Sequence, residues 1–321
     1  MKTILITGIG GDIAQGIATV VREAYPGWRR VGADVHDRHG GSVFVDTVCR
    51  APMASDPAYD RWLTDTIARE RVDICIPTSE AELIRLADHP TAAPAGVHVV
   101  GANPLAIHVG SDKLETSNFL ASIGVARPWT MPAEAFDLTT PLPCVFKARR
   151  SAGSKAVFVC ESAQDVAFYR QRYPSAILQE LLLPADREVT CAVFRGRDGR
   201  IAVLQLLRTL VGGFTAWAQV IDEAAVTEQC RCVAESLNLV GAINVQLRIT
   251  AQGPRIFEIN PRFSSTVLIR HRLGFQDVVW SVQDILGEPW SPQRAAVGAV
   301  GVRVQGAAVW GSRREADAHG S

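Results

Sequence analysis

The chain has 321 residues carrying 33 basic and 33 acidic side chains, so its formal net charge is zero. That balance argues against a nucleic-acid-binding surface, which needs a clustered basic excess, and 47% hydrophobic with 21% charged residues is a globular composition, not a disordered one. At this length more than one core is expected, hence two or three subdomains.

Of the basic residues 29 are Arg and four are Lys: Lys2, Lys113, Lys147 and Lys155. Codon bias in a GC-rich genome explains the arginines. It does not explain where lysine persists, and a compact ammonium is not interchangeable with a planar guanidinium. No apolar run approaches the about 20 residues of a membrane span. The opening MKTILITGIGGD lacks the longer apolar core and cleavage site of a secretory leader. Seven cysteines (49, 75, 144, 160, 191, 230, 232) are scattered without metal-ligand spacing, so reduced, mostly buried thiols in a cytoplasmic protein are expected.

In chain order, Thr3–Thr7 reads as an apolar strand, followed by Gly8, Gly10 and Gly11 and an apolar-periodic helix over 13–24. A strand over 30–34 ends at Asp34. A helix over 57–69, a strand over 73–77, a helix over 79–88 and a strand over 97–100 follow. Strands separated by such helices make a parallel sheet with right-handed crossovers, a Rossmann-like unit. Next, Ser111 as N-cap with Asp112 in the first turn opens a helix to Gly124, with Leu114, Phe119, Leu120 and Ile123 as its apolar stripe. After Pro128 the chain is strand-rich, with runs at 144–148, 156–160, 177–181, 189–195, 201–207 and 216–220. Helices over 163–172 and 223–237 interrupt them. Residues 242–249 and 255–260 form an antiparallel hairpin around Gln252-Gly253-Pro254. The final SRREADAHGS reads as a frayed tail.

Three segments carry chemistry. TGIGGDIAQG follows a strand and opens a helix, as a nucleotide-binding turn does, but Ile13 stands at the third glycine of the dinucleotide fingerprint. Asp34 falls where a ribose-binding acid would sit. An NAD-dependent oxidoreductase and a purely structural tight turn both remain open on this segment. In Phe257-Glu258-Ile259-Asn260-Pro261-Arg262, strand alternation puts Glu258 and Asn260 on one face and Phe257 and Ile259 on the core face. Across the hairpin, Asn244, Gln246 and Arg248 lie opposite Val245, Leu247 and Ile249. The polar face is a set of hard oxygen donors of the kind Mg²⁺ accepts while keeping waters and substrate phosphates. A solvated edge is the alternative, and a strand ending in Asn-Pro, aimed at a loop, favours the chemical reading. Third, Lys147 ends a strand and precedes the turn Arg149-Arg150-Ser151-Ala152-Gly153-Ser154-Lys155. Such a small-residue turn can fold over polyphosphate, or can be an ordinary hairpin turn with solvated charges.

The order of these pieces resembles the ATP-grasp superfamily, in its carbamoyl-phosphate-synthetase-like and biotin-carboxylase-like branch. Behind the Rossmann-like unit come Ser111-Asp112-Lys113, PCVFK, the small-residue loop, Gln179-Glu180-Leu181-Leu182, Glu188, NVQ and EINPRFS, so the resemblance covers most of the chain. It implies an α/β and α+β architecture: an N-terminal Rossmann-like parallel-sheet domain over 1–103, a small lid subdomain with its linker helix over 104–182, a C-terminal mixed-sheet subdomain over 183–310 and a flexible tail over 311–321.

The resemblance also implies roles. Lys113 and Lys147 match cations on ATP phosphates, and Ser151, Gly153, Ser154 and Lys155 match the loop that closes over them. Glu180, Leu181 and Leu182 match the hinge that reads the adenine edge, and Glu188 the acid on the ribose. Gln246, Glu258 and Asn260 match ligands of Mg²⁺ or Mn²⁺. Arg262 matches the arginine at the transferred phosphate, and Arg208 is a candidate for the acyl phosphate or carboxylate. Ala152 and Ala156 stand where relatives often have glycine. Gly10, Gly11 and Glu80 then face the non-nucleotide substrate, and NAD is no longer expected.

The implied activity is ADP-forming ligation of a small-molecule carboxylate to an amine through an acyl phosphate. A cytoplasmic biosynthetic enzyme is expected, without nucleic-acid or membrane partners; the oligomeric state stays open, with a homodimer one option because many relatives dimerise. One unit fills the chain, so a two-unit carbamoyl-phosphate synthetase is not expected. The alternatives are a synthetase-like subunit acting on bicarbonate or carbamate, a catalytically silent nucleotide-binding regulator and, less favoured, an NAD-dependent oxidoreductase.

Overall fold

Short aliphatic runs alternating with amphipathic helices build the first of three sheets in the computed structural model, which describes residues 1–150 and 156–310. The elements are β1 (Thr3–Thr7), α1 (Asp12–Ala24), β2 (Arg29–Asp34), β3 (Thr47–Arg50), α2 (Tyr59–Glu70), β4 (Ile74–Ile76), α3 (Glu80–Asp88) and β5 (His98–Val99). All strands are parallel, in the order β3-β2-β1-β4-β5. That order reverses direction between β1 and β4, so their C-terminal ends open the crevice where such sheets receive ligands. The sequence did not announce β3, an edge strand whose residues are half-buried or exposed and which no apolar run marks.

Two helices, α4 (Pro104–Gly110) and α5 (Lys113–Ser122), pack on the last strand of the hairpin described below. Asp112 caps α5, accepting from the Leu114 and Glu115 amides at 3.0 and 3.3 Å, whereas the expected cap, Ser111, ends α4. The seven-residue α4 takes up the residues before Ser111, which moves the start of the next helix along by one.

The second sheet holds β6 (Thr130–Pro132), β7 (Cys144–Ala148), β8 (Val157–Cys160) and β9 (Ala176–Glu180), with α6 (Ala163–Arg172) between the last two. Its order is β6-β9-β7-β8 and its pairs are antiparallel. Cys144, Phe146, Cys160 and Leu178 pack with Val166, Tyr169 and Tyr173 from α6 and its end. Alternation therefore turns Val145, Lys147, Val157, Val159 and Gln179 to the face away from α6.

The third sheet, β14-β13-β10-β11-β12-β15, is antiparallel throughout. Its elements are β10 (Glu188–Arg195), β11 (Ile201–Val211), β12 (Phe214–Ile221), α7 (Ala224–Ser236), β13 (Gly241–Thr250), β14 (Gly253–Asn260), α8 (Val267–Arg272), α9 (Asp277–Ile285) and β15 (Val300–Val302). Val189, Cys191, Val245 and Leu247 share one core with Val226, Cys230 and Val233 of α7. On the opposite face Ala192, Phe194, Leu204 and Leu206 share a core with Val267, Val278 and Trp280 and with Ile4, Ile17 and Val21 of the first sheet and α1. Where α1 meets α8, a Cβ added to Gly16 would come within 2.6 Å of Val267 Cγ1.

Within α8 and α9, Arg270 and Asp277 form a fully buried ion pair, Nη2 to Oδ2 at 2.6 Å and Nε to Oδ1 at 3.0 Å. The seven cysteines are free, five of them buried. Among the described residues no helix is long and apolar enough to cross a membrane.

Candidate active site

The β13–β14 hairpin sets Gln246 opposite Glu258 and Asn244 opposite Asn260, as alternation requires. The register then slips, because Leu247 faces Ile256 and Phe257 is one residue too many. This bulge corrects the expected placement of Phe257 in the core. Ile256 takes that place, fully buried beside Ile259. The Phe257 ring instead lies under Lys147, whose Nζ is 4.7 Å from its centroid. Two adjacent apolar residues in an otherwise alternating strand, Ile256-Phe257, are the trace the bulge leaves in the sequence.

Lys147 reaches this point from β7. It is buried, and its Nζ donates to Gln179 Oε1 at 2.7 Å. Gln179 in turn donates to Thr130 Oγ1 at 3.1 Å. Burial brings the Lys147 ammonium down to about 8, with Lys113 and Arg248 acting in the same direction and Glu258 and Glu188 opposing.

Lys113 opens α5, and its Nζ stands 3.8 Å from Glu258 Oε1. Its neighbour Asp112 does more than cap the helix. Arg149 Nε donates to both Asp112 oxygens at 2.8 Å and Arg150 Nε to one at 3.1 Å, while the Lys113 amide donates to the Arg149 carbonyl at 3.2 Å. Burial pushes the Asp112 carboxyl up, but Arg149, the Glu115 amide and Arg150 outweigh it and hold it below the usual range. The chain entering the small-residue loop is thus anchored to the helix that presents Lys113. Ser151, Gly153, Ser154 and Lys155 themselves lie outside the described residues.

Arg262 follows β14. Its Nε is 3.6 Å from Oε1 of Glu80, the first residue of α3, and its Nη1 donates to the Phe263 carbonyl at 3.0 Å. Burial raises the Glu80 carboxyl, Arg262 and Lys113 pull it down and Glu258 pushes it up. Lys113, Glu258, Arg262 and Glu80 therefore form a cluster of alternating charge drawn from α5, β14, the loop after it and α3. The Lys113–Glu258 and Arg262–Glu80 pairs, at 3.8 and 3.6 Å, are loose.

Beside it runs a tighter network. Arg208 donates to Glu188 Oε1 through Nε at 3.1 Å and Nη2 at 2.7 Å, and Nη2 also reaches Gln246 Oε1 at 2.9 Å. Arg248 donates to Glu188 Oε2 and to the Leu182 carbonyl, both at 2.7 Å. Glu188 is thus shared between two guanidiniums. The Glu180 carboxylate is held by Arg255 at 2.8 Å and accepts the Trp129 amide at 3.2 Å, so this side chain ties the end of β9 to β14. Sequence reading gave no role to Gln179, Arg248 or Arg255, because their partners lie 32 to 75 residues away along the chain.

Gly10 and Gly11 make the β1–α1 turn. The Gly10 amide donates to Asp34 Oδ2 at 2.8 Å, and a Cβ at Gly10 would sit 3.0 Å from that oxygen. Asp34 Oδ1 accepts the His36 amide at 2.9 Å. Both oxygens of the acid that could have bound an NAD ribose are therefore engaged by the backbone.

A divalent cation fits this chemistry. Gln246 and Glu258 are cross-strand neighbours, and the next pair along, Asn244 and the buried Asn260, brings further amide oxygens to the same stretch of the hairpin. Among the described residues no three His, Cys, Asp or Glu side chains gather. One carboxylate and two amides suit a hard cation that completes its shell with substrate oxygens, and do not suit a soft transition metal.

Residues 173–307 match the family described as ATP-grasp in the biosynthetic pathway with Ter operon. The D-alanine–D-alanine ligase of Thermotoga petrophila is 33% identical over 110 residues, 32% of this chain and 35% of that protein. The carbamoyl-phosphate synthase of Methanobrevibacter smithii is 24% identical over 178 residues, 54% of this chain and 47% of that protein. The matched segments span about a third and about half of these relatives. A solved ADP complex of N5-carboxyaminoimidazole ribonucleotide synthetase superposes with a TM-score of 0.75 at 18% identity, covering 92% of this chain and 79% of that one.

Proposed function

Because the chain has the ATP-grasp fold, we propose that it is an ADP-forming ligase that activates a small-molecule carboxylate as an acyl phosphate and passes the acyl group to an amine. The observation that carries this reading is the alternating cluster of Lys113, Glu258, Arg262 and Glu80 beside the Gln246–Asn260 oxygen donors. Phosphoryl transfer to a carboxylate needs positioning and charge neutralisation more than a protein nucleophile.

In this reading Lys147 and Lys113 hold the polyphosphate and Arg262 the phosphoryl group in transfer. Gln246, Glu258 and Asn260 would hold Mg²⁺ or Mn²⁺, which when bound supplies further neutralisation at the phosphate oxygens. Glu180, Leu181 and Leu182 border the adenine and Glu188 the ribose, with Arg208 and Arg248 holding the Glu188 carboxylate in place. Ser151, Gly153, Ser154 and Lys155 would cover the phosphates, and Gly10, Gly11 and Glu80 face the second substrate. Residues 1–103 then present the acceptor, 104–182 close over the nucleotide and 183–310 carry the metal and phosphate ligands. The match to a D-alanine–D-alanine ligase supports amino acids as the first carboxylates and amines to try.

The test is ADP and phosphate release from Mg-ATP across a panel of carboxylates against amines, with bicarbonate as a separate arm. A thermal-shift comparison accompanies it. Mg-ATP is expected to raise the melting temperature and NAD to leave it unchanged, and a shift with NAD alone overturns the assignment.

Lys147 gives a second check. A polyphosphate beside an ammonium that titrates at about 8 raises that value, so nucleotide binding takes up a proton between pH 8 and the bound-state value. Calorimetry near pH 8 in buffers of different ionisation enthalpy should show this uptake in the wild type and lose it in Lys147→Met. Buffer-independent heats in the wild type would refute the placement of Lys147 on the phosphates.

A further inference from the structure

Acyl transfer to an amine leaves a proton to be placed, and none of the residues assigned above takes it. We propose that Glu80 is the base, accepting a proton from the incoming ammonium at its side-chain carboxylate; this rests on the ligase reading.

Position is the first argument. Glu80 begins α3 at the C-terminal end of β4, next to the crevice between β1 and β4. The groups placed on nucleotide and metal come from α5 and from the second and third sheets. Glu80 therefore meets Arg262, and the phosphate placed there, from the acceptor's side.

Availability is the second. The other acids of these elements are taken: Glu258 is assigned to the cation, Glu188 is shared by two guanidiniums and Asp34 accepts two backbone amides. Glu82, two residues on, accepts from Thr7, Tyr59 and Ser79. Glu80 has one loose pair, 3.6 Å from Arg262 Nε and beyond good hydrogen-bonding distance, so its lone pairs are not consumed by a fork. Its carboxyl is also raised by burial against the opposing pull of Arg262 and Lys113, the direction that makes a carboxylate a better base near neutrality.

The step balances. An ammonium enters and Glu80 takes one proton, freeing the nitrogen lone pair. That pair forms the N–C bond as the C–O bond to phosphate breaks, its electrons leaving with the phosphate. The phosphate, held at Arg262, takes the second N–H proton and departs as hydrogen phosphate, and Glu80 returns its proton to solvent.

The test compares nucleophiles. Hydroxylamine is uncharged at neutral pH and arrives without the proton Glu80 would remove. The carboxylates and amines of the panel are run with the wild type, Glu80→Gln and Glu80→Asp, with hydroxylamine replacing the amine in a parallel arm and melting curves for each variant. Glu80→Gln is expected to lose about 10²–10³-fold in amine-dependent turnover, and the deficit should shrink below about tenfold with hydroxylamine. Glu80→Asp should recover part of the amine rate. Equal losses with both nucleophiles would make Glu80 a support for Arg262 and overturn the proposal. Should Glu80→Gln fail to fold, Glu80→Asp decides, and a hydroxylamine-to-amine ratio equal to that of the wild type overturns it. A wild type that releases no ADP with any pair overturns the ligase reading itself, and the base with it.

Discussion

A Glu258→Ala protein is expected to fold and to release no ADP above background. Glu258 is the one carboxylate of the proposed cation set, and it also faces Lys113 at 3.8 Å. Removing it leaves Gln246 and Asn260, two neutral amides, to hold a divalent ion against Lys113, Lys147 and Arg262. Loss of one oriented electrostatic group in such a site costs about 10²–10³ in turnover, and here the cation's anchor goes with it. Some stability should be lost as well, because Lys113 is buried and loses a nearby opposite charge, but the loose 3.8 Å pair is not one that the fold depends on. Glu258→Gln keeps the shape and removes only the charge, so it should fail equally. A coupled ADP assay beside a thermal melt checks both halves, and retained turnover in either variant would refute the metal assignment.

The second large effect is on folding. Asp277→Ala should lower the unfolding free energy by about 3–5 kcal/mol, the usual result of stranding one member of a buried ion pair. Arg270 has no exposed surface and would keep Ser264 Oγ, at 3.2 Å, as its remaining side-chain acceptor. Burial already pushes the Asp277 carboxyl up to about 6 against the pull of Arg270, so the environment tolerates these charges only as a pair. Replacing both, as in Arg270→Met with Asp277→Leu, should recover most of the loss. Urea denaturation measures both, and a loss below about 1 kcal/mol in the single variant would sink the argument. The pair also bears on the site, because Ser264 lies two residues beyond Arg262.

What the sequence made legible was local. The strand–glycine–helix start, the α6 span and the hairpin with Gln246, Glu258 and Asn260 follow from periodicity and turn residues, and the structure places these elements as read. What escaped depended on partners distant in the chain. Nothing near Glu188 announces that Arg208 and Arg248 divide its two oxygens. Nothing near Asp112 predicts that Arg149 and Arg150 converge on it, and the choice between Ser111 and Asp112 as cap turned on a short helix upstream. The bulge at Phe257 moved one ring from core to cleft, because alternation assumes an unbroken register. Asp34 shows the converse: its position at a strand end is right for a ribose, yet each of its oxygens already accepts a backbone amide of its own domain.

The residues that join α1 to α8 and α9 have a thermodynamic consequence. Ile4, Ile17 and Val21 share one apolar cluster with Phe194, Leu206 and Trp280, whereas Phe146, Val166 and Leu178 form a smaller cluster of their own. Three sheets therefore amount to two cooperative units. The first and third are expected to lose their common core together, and the second, tied to the third chiefly by polar contacts such as Glu180–Arg255, to open at a lower free energy.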